Sequence, residues 1–210
     1  MPDTVLAFHG YTQHGKGFGA GVEPLSVALP AGIAFEFPDA PHACPEESVA
    51  SFYAQLRVAR PEPPHRTWWR ASDDGQVYAG WEATLDLVKD LMKSHEPIGV
   101  LGFSQGAMLA TLVAALSARG ELPALRFAVL IAGSVPRALA LAPLLEAKIR
   151  IPSLHVWGVR DALCASQAPL LAERFEAASA HRLLWPGAHA FPTRGFPVQA
   201  IAAFVAAHRG

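Results

Sequence analysis

One short segment, residues 102–106, constrains the fold of this chain more than any other. It reads G-F-S-Q-G and joins an apolar run, Ile98–Phe103, to a helical pattern that begins near Ala107. A side chain held on so tight a strand-to-helix turn needs neighbours of minimal size, and glycine supplies them on both sides. The hydroxyl of Ser104 would then project at the carboxyl end of the strand, where a helix N-terminus favours negative charge. A simple N-cap serine would fit the same boundary but would not account for both glycines.

Short apolar runs of strand length recur along the chain and alternate with segments of helical period. The predicted strands are Thr4–His9, Ile33–Phe37, Ile98–Phe103, Phe127–Ala132, Ser153–Trp157 and His181–Trp185. The predicted helices are Trp81–His95, Ala107–Arg119, Ser166–Ala178 and Pro197–His208, with Ala138–Lys148 a weaker candidate because it contains proline. This alternation predicts an α/β fold with a mostly parallel sheet of about six or seven strands and helices on both faces. We predict a single domain over residues 1–210, with no separate large cap domain.

The stretch from Pro38 to Ala79 interrupts this alternation. It contains six prolines and the pair Trp68-Trp69, and it is too long for a plain connection. We interpret residues 38–79 as an irregular insertion and a candidate lid, part of which packs through the two tryptophans.

A serine hydroxyl becomes a useful nucleophile when a histidine, oriented by a buried acid, takes its proton. After Ser104 the chain contains one aspartate, Asp161, directly beyond the predicted strand Ser153–Trp157. Four histidines follow Ser104, and only His189 lies in a loop directly after the last predicted strand. The order serine, aspartate, histidine at one sheet edge predicts that Ser104, Asp161 and His189 form a catalytic triad.

Acyl transfer also requires hydrogen-bond donors for the oxyanion, usually two backbone N–H groups. Gln105 supplies one because it follows the nucleophile, and we assign the other to Tyr11 in the loop after the first strand. That loop, residues 10–17, is rich in glycine but matches neither of the common nucleotide-binding glycine patterns.

Along nearly its whole length the chain resembles the FSH-type serine hydrolases, an α/β-hydrolase family that includes the ovarian-cancer-associated hydrolase of animals and fungal polyketide-releasing thioesterases. The matching segments are F-H-G-Y-T-Q-H-G-K at 8–16, P-D-A-P at 38–41, W-W at 68–69, Y-A-G at 78–80, G-V-L-G-F-S-Q-G-A at 99–107, P-S-L-H-V-W-G at 152–158 and G-A-H at 187–189. The chain departs from the family at Ala188, where glycine is frequent, and at His14, where asparagine is commoner.

The resemblance implies the α/β-hydrolase fold, and its triad and oxyanion positions coincide with the five residues already chosen from the sequence. We therefore expect a serine esterase that cleaves carboxylic esters of short to medium acyl chain through an acyl-enzyme, with no cofactor and no metal. An acyl thioesterase or acyltransferase stays open, as does a catalytically weak binding protein on a hydrolase scaffold. The aromatic candidates for an acyl pocket, which are also typical of a core, are Trp68, Trp69, Tyr78 and Phe191.

Charge and hydropathy narrow the range of partners. The net charge of -1 offers no excess with which to hold a nucleic-acid backbone, so we expect a small-molecule ester or thioester as the partner. No apolar run approaches the roughly 18 residues of a membrane span, and no leader pattern is present, which together favour a cytoplasmic protein without a membrane segment. The two cysteines, Cys44 and Cys164, form no disulfide or zinc pattern. The oligomeric state is left open.

Overall fold

A computed structural model describes residues 2–56 and 59–210. In chain order its elements are β1 (Asp3–Phe8), α1 (Gly15–Ala28), β2 (Ile33–Glu36), β3 (His42–Ala43), α2 (Glu46–Leu56), β4 (Arg66–Thr67), β5 (Arg70–Ala71), β6 (Tyr78–Ala79), α3 (Trp81–His95), β7 (Gly99–Phe103), α4 (Gln105–Ala118), β8 (Phe127–Ile131), a 3-10 helix (Leu139–Leu145), β9 (Ser153–Gly158), α5 (Ala168–Ala172), β10 (Ala180–Trp185) and α6 (Phe196–Ala207).

Within the described residues, six strands form one central parallel sheet in the order β10-β9-β8-β7-β1-β2. All six coincide with predicted strands to within one or two residues, so the predicted α/β architecture is confirmed. β1 and β7 are neighbours, with Phe8 opposite Gly102, and β7 pairs with β8 so that Phe103 lies opposite Ile131. The carboxyl ends of these three strands therefore meet at one edge of the sheet.

Helices cover both faces of the sheet because each buried strand presents alternate side chains to opposite sides. In β1, Leu6 and Phe8 join the core beneath α3 and α4, whereas Val5 and Ala7 join the core beneath α1 and α6. Helix α4 is buried almost all around, in keeping with a sequence of alanine, leucine, valine and threonine. A helix enclosed on every side gives a fixed base for the turn that precedes it.

Helix α1 is not among the helices predicted from the sequence. This helix contains four glycines and Pro24, all of which have low helix propensity. Its buried residues Phe18, Val22 and Leu25 follow the spacing of one helical face, and burial of that face against the sheet outweighs the unfavourable propensity. His14, a departure from the family pattern, is the N-cap residue, and its ring accepts a hydrogen bond from the Gly17 N–H at 3.4 Å.

Residues 38–79 contain more regular structure than the sequence predicts. They include α2 and two antiparallel two-stranded ladders, β3 with β4 and β5 with β6. Pro45 directly before α2, together with Glu46 and Glu47 in its first turn, is a start signal that could have revealed the helix. Trp68 and Trp69 are both buried, as the packing interpretation of this segment requires.

The predicted helix Ser166–Ala178 is too long, because α5 covers only Ala168–Ala172. Beyond it, Phe175 forms an isolated parallel bridge with Ile149, whose backbone bonds to both Arg174 and Glu176. These interactions hold the chain in an extended conformation. The weaker candidate at Ala138–Lys148 is a 3-10 helix over Leu139–Leu145, which tolerates Pro143. In residues 2–56 and 59–210 we find no helix with the length and hydropathy needed to cross a membrane.

Two fully buried histidines outside the candidate site are held in the neutral form. His9 donates from Nδ1 to the Gly10 carbonyl at 2.8 Å and accepts at Nε2 from the Ala40 N–H at 3.1 Å. His155 lies 3.0 Å from the Ser153 hydroxyl through Nε2. Burial disfavours the imidazolium ion and lowers the pKa of His9 to about 4 and that of His155 to about 3.

We expect the free energy of unfolding to decrease as pH falls from 6.5, the ordinary histidine value, towards 4. In that window the unfolded chain binds protons at both histidines and the folded chain does not, so each contributes a slope of up to about 1.4 kcal/mol per pH unit. Urea unfolding at a series of pH values measures the slope. In His155→Gln, where the amide can still bond Ser153, the slope should be smaller by about one proton's worth; an unchanged slope would contradict this assignment.

Candidate active site

Ser104 occupies the sharp turn between β7 and α4, in a backbone conformation that non-glycine residues rarely adopt, with φ 55° and ψ -115°. The main chain packs so closely around this turn that two positions near Ser104 have no room for a side chain, and the turn is possible because both are glycine. A Cβ atom at Gly102 would overlap the carbonyl group of Gly106, and one at Gly106 would overlap the carbonyl oxygen of Phe8 at the end of β1. The structure thus shows why both positions are glycine: neither has space for a side chain.

The three residues chosen from the sequence form one chain of hydrogen bonds. His189 Nε2 lies 2.9 Å from Ser104 Oγ, and His189 Nδ1 donates to Asp161 Oδ2 at 2.9 Å. The other carboxylate oxygen of Asp161 accepts from the backbone N–H groups of Leu163 and Cys164, both at 2.9 Å. The Asp161 side chain is fully buried and that of His189 is 14% exposed. The series of hydrogen bonds therefore extends from the protein interior to the partly exposed Ser104.

The sheet order brings these residues together. Asp161 follows β9 and His189 follows the neighbouring strand β10, so both loops lie at the carboxyl edge, as does Ser104. Two backbone bonds join the loops: Val159 N–H to the Trp185 carbonyl and Arg160 N–H to the Gly187 carbonyl, each 2.9 Å. Main-chain contacts thus fix the positions of Asp161 and His189 relative to each other.

Burial and a negatively charged neighbour act in opposite directions on the imidazole of His189. Burial lowers its pKa, but the hydrogen bond and charge of Asp161, together with the nearby Cys164 side chain, outweigh this and raise the pKa to about 9. Burial likewise raises the pKa of Asp161, but the His189 hydrogen bond and charge and the two backbone N–H groups bring it below its ordinary value. Asp161 is therefore ionised and favours a proton on His189.

The predicted oxyanion donors lie on the two segments that flank Ser104. Tyr11 belongs to the loop after β1, the strand next to β7, and Gln105 is the first residue of α4. Within the part of the chain that the structure describes, neither backbone N–H donates to a protein acceptor. The Tyr11 loop is held by Thr12 N–H, which bonds the Arg66 carbonyl at 2.8 Å, and by Gly10 N–H, which bonds Gln13 Oε1 at 2.8 Å.

The side chain of Gln105 has a role that the sequence analysis missed. Its Oε1 accepts from Thr67 Oγ1 at 3.0 Å and from the Trp68 N–H at 3.1 Å, while its Nε2 donates to the Trp69 carbonyl at 3.0 Å. One amide thus ties the residues around the tryptophan pair to the turn that carries Ser104. Two sequence features could have indicated this role. One is the polar residue directly after Ser104, and the other is the Trp68-Trp69 pair, which the strand and helix patterns do not explain.

Of the four aromatic candidates for the acyl pocket, Trp68 is the one that lies away from the clefts at Ser104. Its ring is fully buried, its Nε1 donates to the His9 carbonyl at 2.8 Å, and it lines neither cleft next to Ser104 in the described structure. Trp68 also contacts the His9 ring, with centroids 4.9 Å apart and planes tilted by 32°, and so supports the loop after β1. Trp69, Tyr78 and Phe191 do line clefts that reach Ser104.

Ser104 lies where two clefts meet. The first, which we call the Phe191 cleft, has a volume of about 320 Å³ and is lined by residues that include Gln13, Tyr53, Arg60, Phe103 and Phe191. The second, the Trp69 cleft, has a volume of about 540 Å³ and is lined by residues that include Trp69, Arg70, Tyr78, Met108, Arg137 and Leu163. Both are also lined by Tyr11, Phe52, Ser104 and His189. Helix α2 reaches both clefts through Phe52, a contribution that the sequence analysis did not foresee.

Among the described residues, Asp161, Cys164 and His189 offer metal-ligand atoms within 4.8 Å of one another. Asp161 and His189 already use such atoms in the hydrogen bonds that link them to each other and to Ser104. A cation at this position would compete with those bonds. The donor set therefore suits proton transfer to and from Ser104 better than a resident metal.

We expect Gln105→Ala to lower the free energy of unfolding by about 1–3 kcal/mol, because it removes three partly buried hydrogen bonds and leaves the Trp68 N–H without its acceptor. Thr67 Oγ1 still donates to the Trp69 carbonyl at 2.6 Å in this variant. Urea denaturation measures the change. Gln199→Ala, at an exposed position of α6, is the matched control and should change stability by less than about 0.5 kcal/mol. Equal stability of the two variants would show that the Gln105 side chain does not anchor residues 67–69.

A parallel α/β sheet that carries a hydrogen-bonded serine, histidine and aspartate at its carboxyl edge defines a hydrolase of the α/β-hydrolase fold. The model of the serine hydrolase (FSH1) family matches residues 1–201. The chain belongs to this family, as the sequence resemblance implied.

Individual relatives agree with this assignment. An esterase of the mosquito Aedes aegypti is 32% identical over 95% of this chain and 74% of its own length. The esterase OVCA2 of Mus musculus is 31% identical over 96% of this chain and 94% of its own. Among solved structures, esterase PE8 has a similar fold, with a TM-score of 0.69 and 20% identity over 98% of this chain and 92% of that one.

Proposed function

We propose that this protein hydrolyses carboxylic esters of short to medium acyl chain, with Ser104 as nucleophile, His189 as general base and acid, and Asp161 as the residue that orients it. The observation that carries the proposal is the pair of 2.9 Å contacts of His189, one to Ser104 Oγ and one to Asp161 Oδ2. This arrangement allows a proton to leave the serine as its oxygen attacks a carbonyl carbon.

The reaction proceeds in two halves. Ser104 Oγ attacks the acyl carbon while His189 Nε2 takes the hydroxyl proton, and the backbone N–H groups of Tyr11 and Gln105 stabilise the oxyanion. The tetrahedral species collapses, His189 returns the proton to the leaving alcohol, and an acyl-enzyme remains on Ser104. Water, deprotonated by His189, then attacks the acyl-enzyme and releases the acid.

The two clefts fit the two parts of an ester, since a carbonyl at Ser104 would have one group on each side.

Hydrogen bonds hold part of the candidate lid, residues 38–79, in place. Thr67, Trp68 and Trp69 are bonded to Gln105 and buried, so we assign any lid movement to α2, whose Phe52 and Tyr53 line the approach to Ser104.

We expect Ser104→Ala to lower kcat for p-nitrophenyl esters by at least about three orders of magnitude, because the acyl-enzyme can no longer form. Release of p-nitrophenol from esters of increasing acyl length measures the loss and the preferred chain. Ser94→Ala, at an exposed site in α3, is the matched control. Labelling by a fluorophosphonate gives a second readout: wild type should gain one phosphonyl group at Ser104, and a label elsewhere would refute the assignment.

We expect kcat/KM of the wild type to rise with pH through the raised pKa of His189, about 9, because only the neutral imidazole accepts the serine proton. Asp161→Asn removes the charge that raises this pKa, so the midpoint should move to lower pH while kcat/KM falls by about 10³–10⁴. Asp90→Asn, exposed on α3, is the control. A midpoint that does not move would mean that Asp161 does not set the basicity of His189.

A further inference from the structure

The Trp69 cleft combines an apolar wall with two arginines. Its apolar part includes Trp69, Met108 and Leu163, and the Tyr78 ring stacks on Trp69 with centroids 4.5 Å apart and planes at 12°. Arg70 and Arg137 complete the lining, and no aspartate or glutamate of the described chain belongs to it. An ester cleft that needed only to hold a hydrocarbon chain would have no use for two cations.

The arginines are held in place by backbone contacts. Arg70 begins the short ladder of β5 with β6, where it pairs with Ala79 next to Tyr78. The Arg137 N–H donates to the Tyr78 hydroxyl at 2.9 Å, and the Arg137 guanidinium lies against Gly75, another residue of the cleft. Both cations therefore belong to the wall that carries Trp69 and Tyr78.

In the described part of the chain, neither guanidinium group forms a salt bridge with a carboxylate. Within residues 2–56 and 59–210, neither Arg70 nor Arg137 has an aspartate or glutamate oxygen within 4.0 Å. Asp74 is exposed and accepts hydrogen bonds from the Ser72 hydroxyl at 2.6 Å and the Gln76 N–H at 2.9 Å, and these bonds lower its pKa more than the charge of Arg137 does. The donors of both arginines stay available to a ligand, and guanidinium groups bind carboxylates and phosphates in preference to neutral groups.

We propose that the Trp69 cleft binds an anionic group of the substrate, so that the enzyme prefers esters or thioesters that carry a carboxylate or phosphate beyond an apolar spacer. The inference rests on the proposed function, since it concerns the substrate of the reaction at Ser104. The apolar wall contacts the spacer, and Arg70 and Arg137 bind the charge. The anion can belong to the acyl group, as in a dicarboxylic half ester, or to the leaving group, as in a charged alcohol or thiol.

Two pairs of substrates separate these sources. For the acyl group, the pair is the p-nitrophenyl half ester of glutaric acid and the neutral ester in which an isopropyl group replaces the terminal carboxylate. For the leaving group, the pair is the butyrate esters of para-hydroxybenzoate and para-hydroxybenzamide. Wild type is compared with Arg70→Gln, Arg137→Gln and the double variant, and with Arg174→Gln, an exposed arginine outside the cleft.

We expect wild type and Arg174→Gln to show the same ratio of kcat/KM for the anionic and neutral members of one pair. Each cleft substitution should lower that ratio about tenfold, and the double variant by about tenfold more. Added salt should weaken the wild-type preference, because both arginines are exposed. The substrate pair that responds identifies the source of the anion.

The inference is overturned if the double variant keeps the wild-type ratio for both substrate pairs while neutral esters are cleaved in a Ser104-dependent reaction. Failure of the proposed function gives a different result, because no ester, neutral or anionic, would then be cleaved by wild type. Competitive inhibition adds a readout that compares binding directly: glutarate should inhibit wild type more strongly than butyrate does, and this difference should be lost in the double variant.

Discussion

The close packing of three main-chain segments around Ser104 is the constraint on which the rest of the site depends. Gly106 lies against the Phe8 carbonyl and Gly102 against the Gly106 carbonyl, with no space for a Cβ atom at either position. This contact brings the end of β1, the end of β7 and the start of α4 together. Tyr11, in the loop after β1, and Gln105, at the start of α4, therefore lie on segments next to Ser104. The strained φ of 55° at Ser104 is held by a helix that is buried almost all around.

The same turn also organises the insertion at residues 38–79, which sequence patterns describe poorly. Through its side chain, Gln105 bonds Thr67, Trp68 and Trp69, so the residue that follows Ser104 connects the Ser104 turn to the wall of the Trp69 cleft. The two adjacent tryptophans therefore occupy different environments. Trp68 is fixed in the core beneath the loop after β1, and Trp69 faces the cleft.

The sheet and the placement of Ser104, Asp161 and His189 could be predicted because they follow from local rules: apolar runs form strands, parallel strands share a carboxyl edge, and glycine marks the tight turn. The missed features depend on contacts between distant segments. Helix α1 forms despite its glycines because its apolar face is buried, and the interior position of Trp68 follows from its bond to the His9 carbonyl. The apolar residues of α1 do have helical spacing, but four glycines and Pro24 obscure it, and the bond made by Trp68 leaves no periodic signal in the sequence.

Three buried or partly buried histidines differ in how strongly the imidazole ring binds a proton. His9 and His155 are buried without a carboxylate hydrogen-bonded to the ring, and burial lowers their pKa values to about 4 and about 3. His189 has the ionised Asp161 on Nδ1, which overcomes burial and raises its pKa to about 9. Only this imidazole combines affinity for a proton with access to Ser104, because the sheet order places an acid loop beside its own loop. Elimination along the sequence proposes as base the same histidine that lies between Asp161 and Ser104 in the structure.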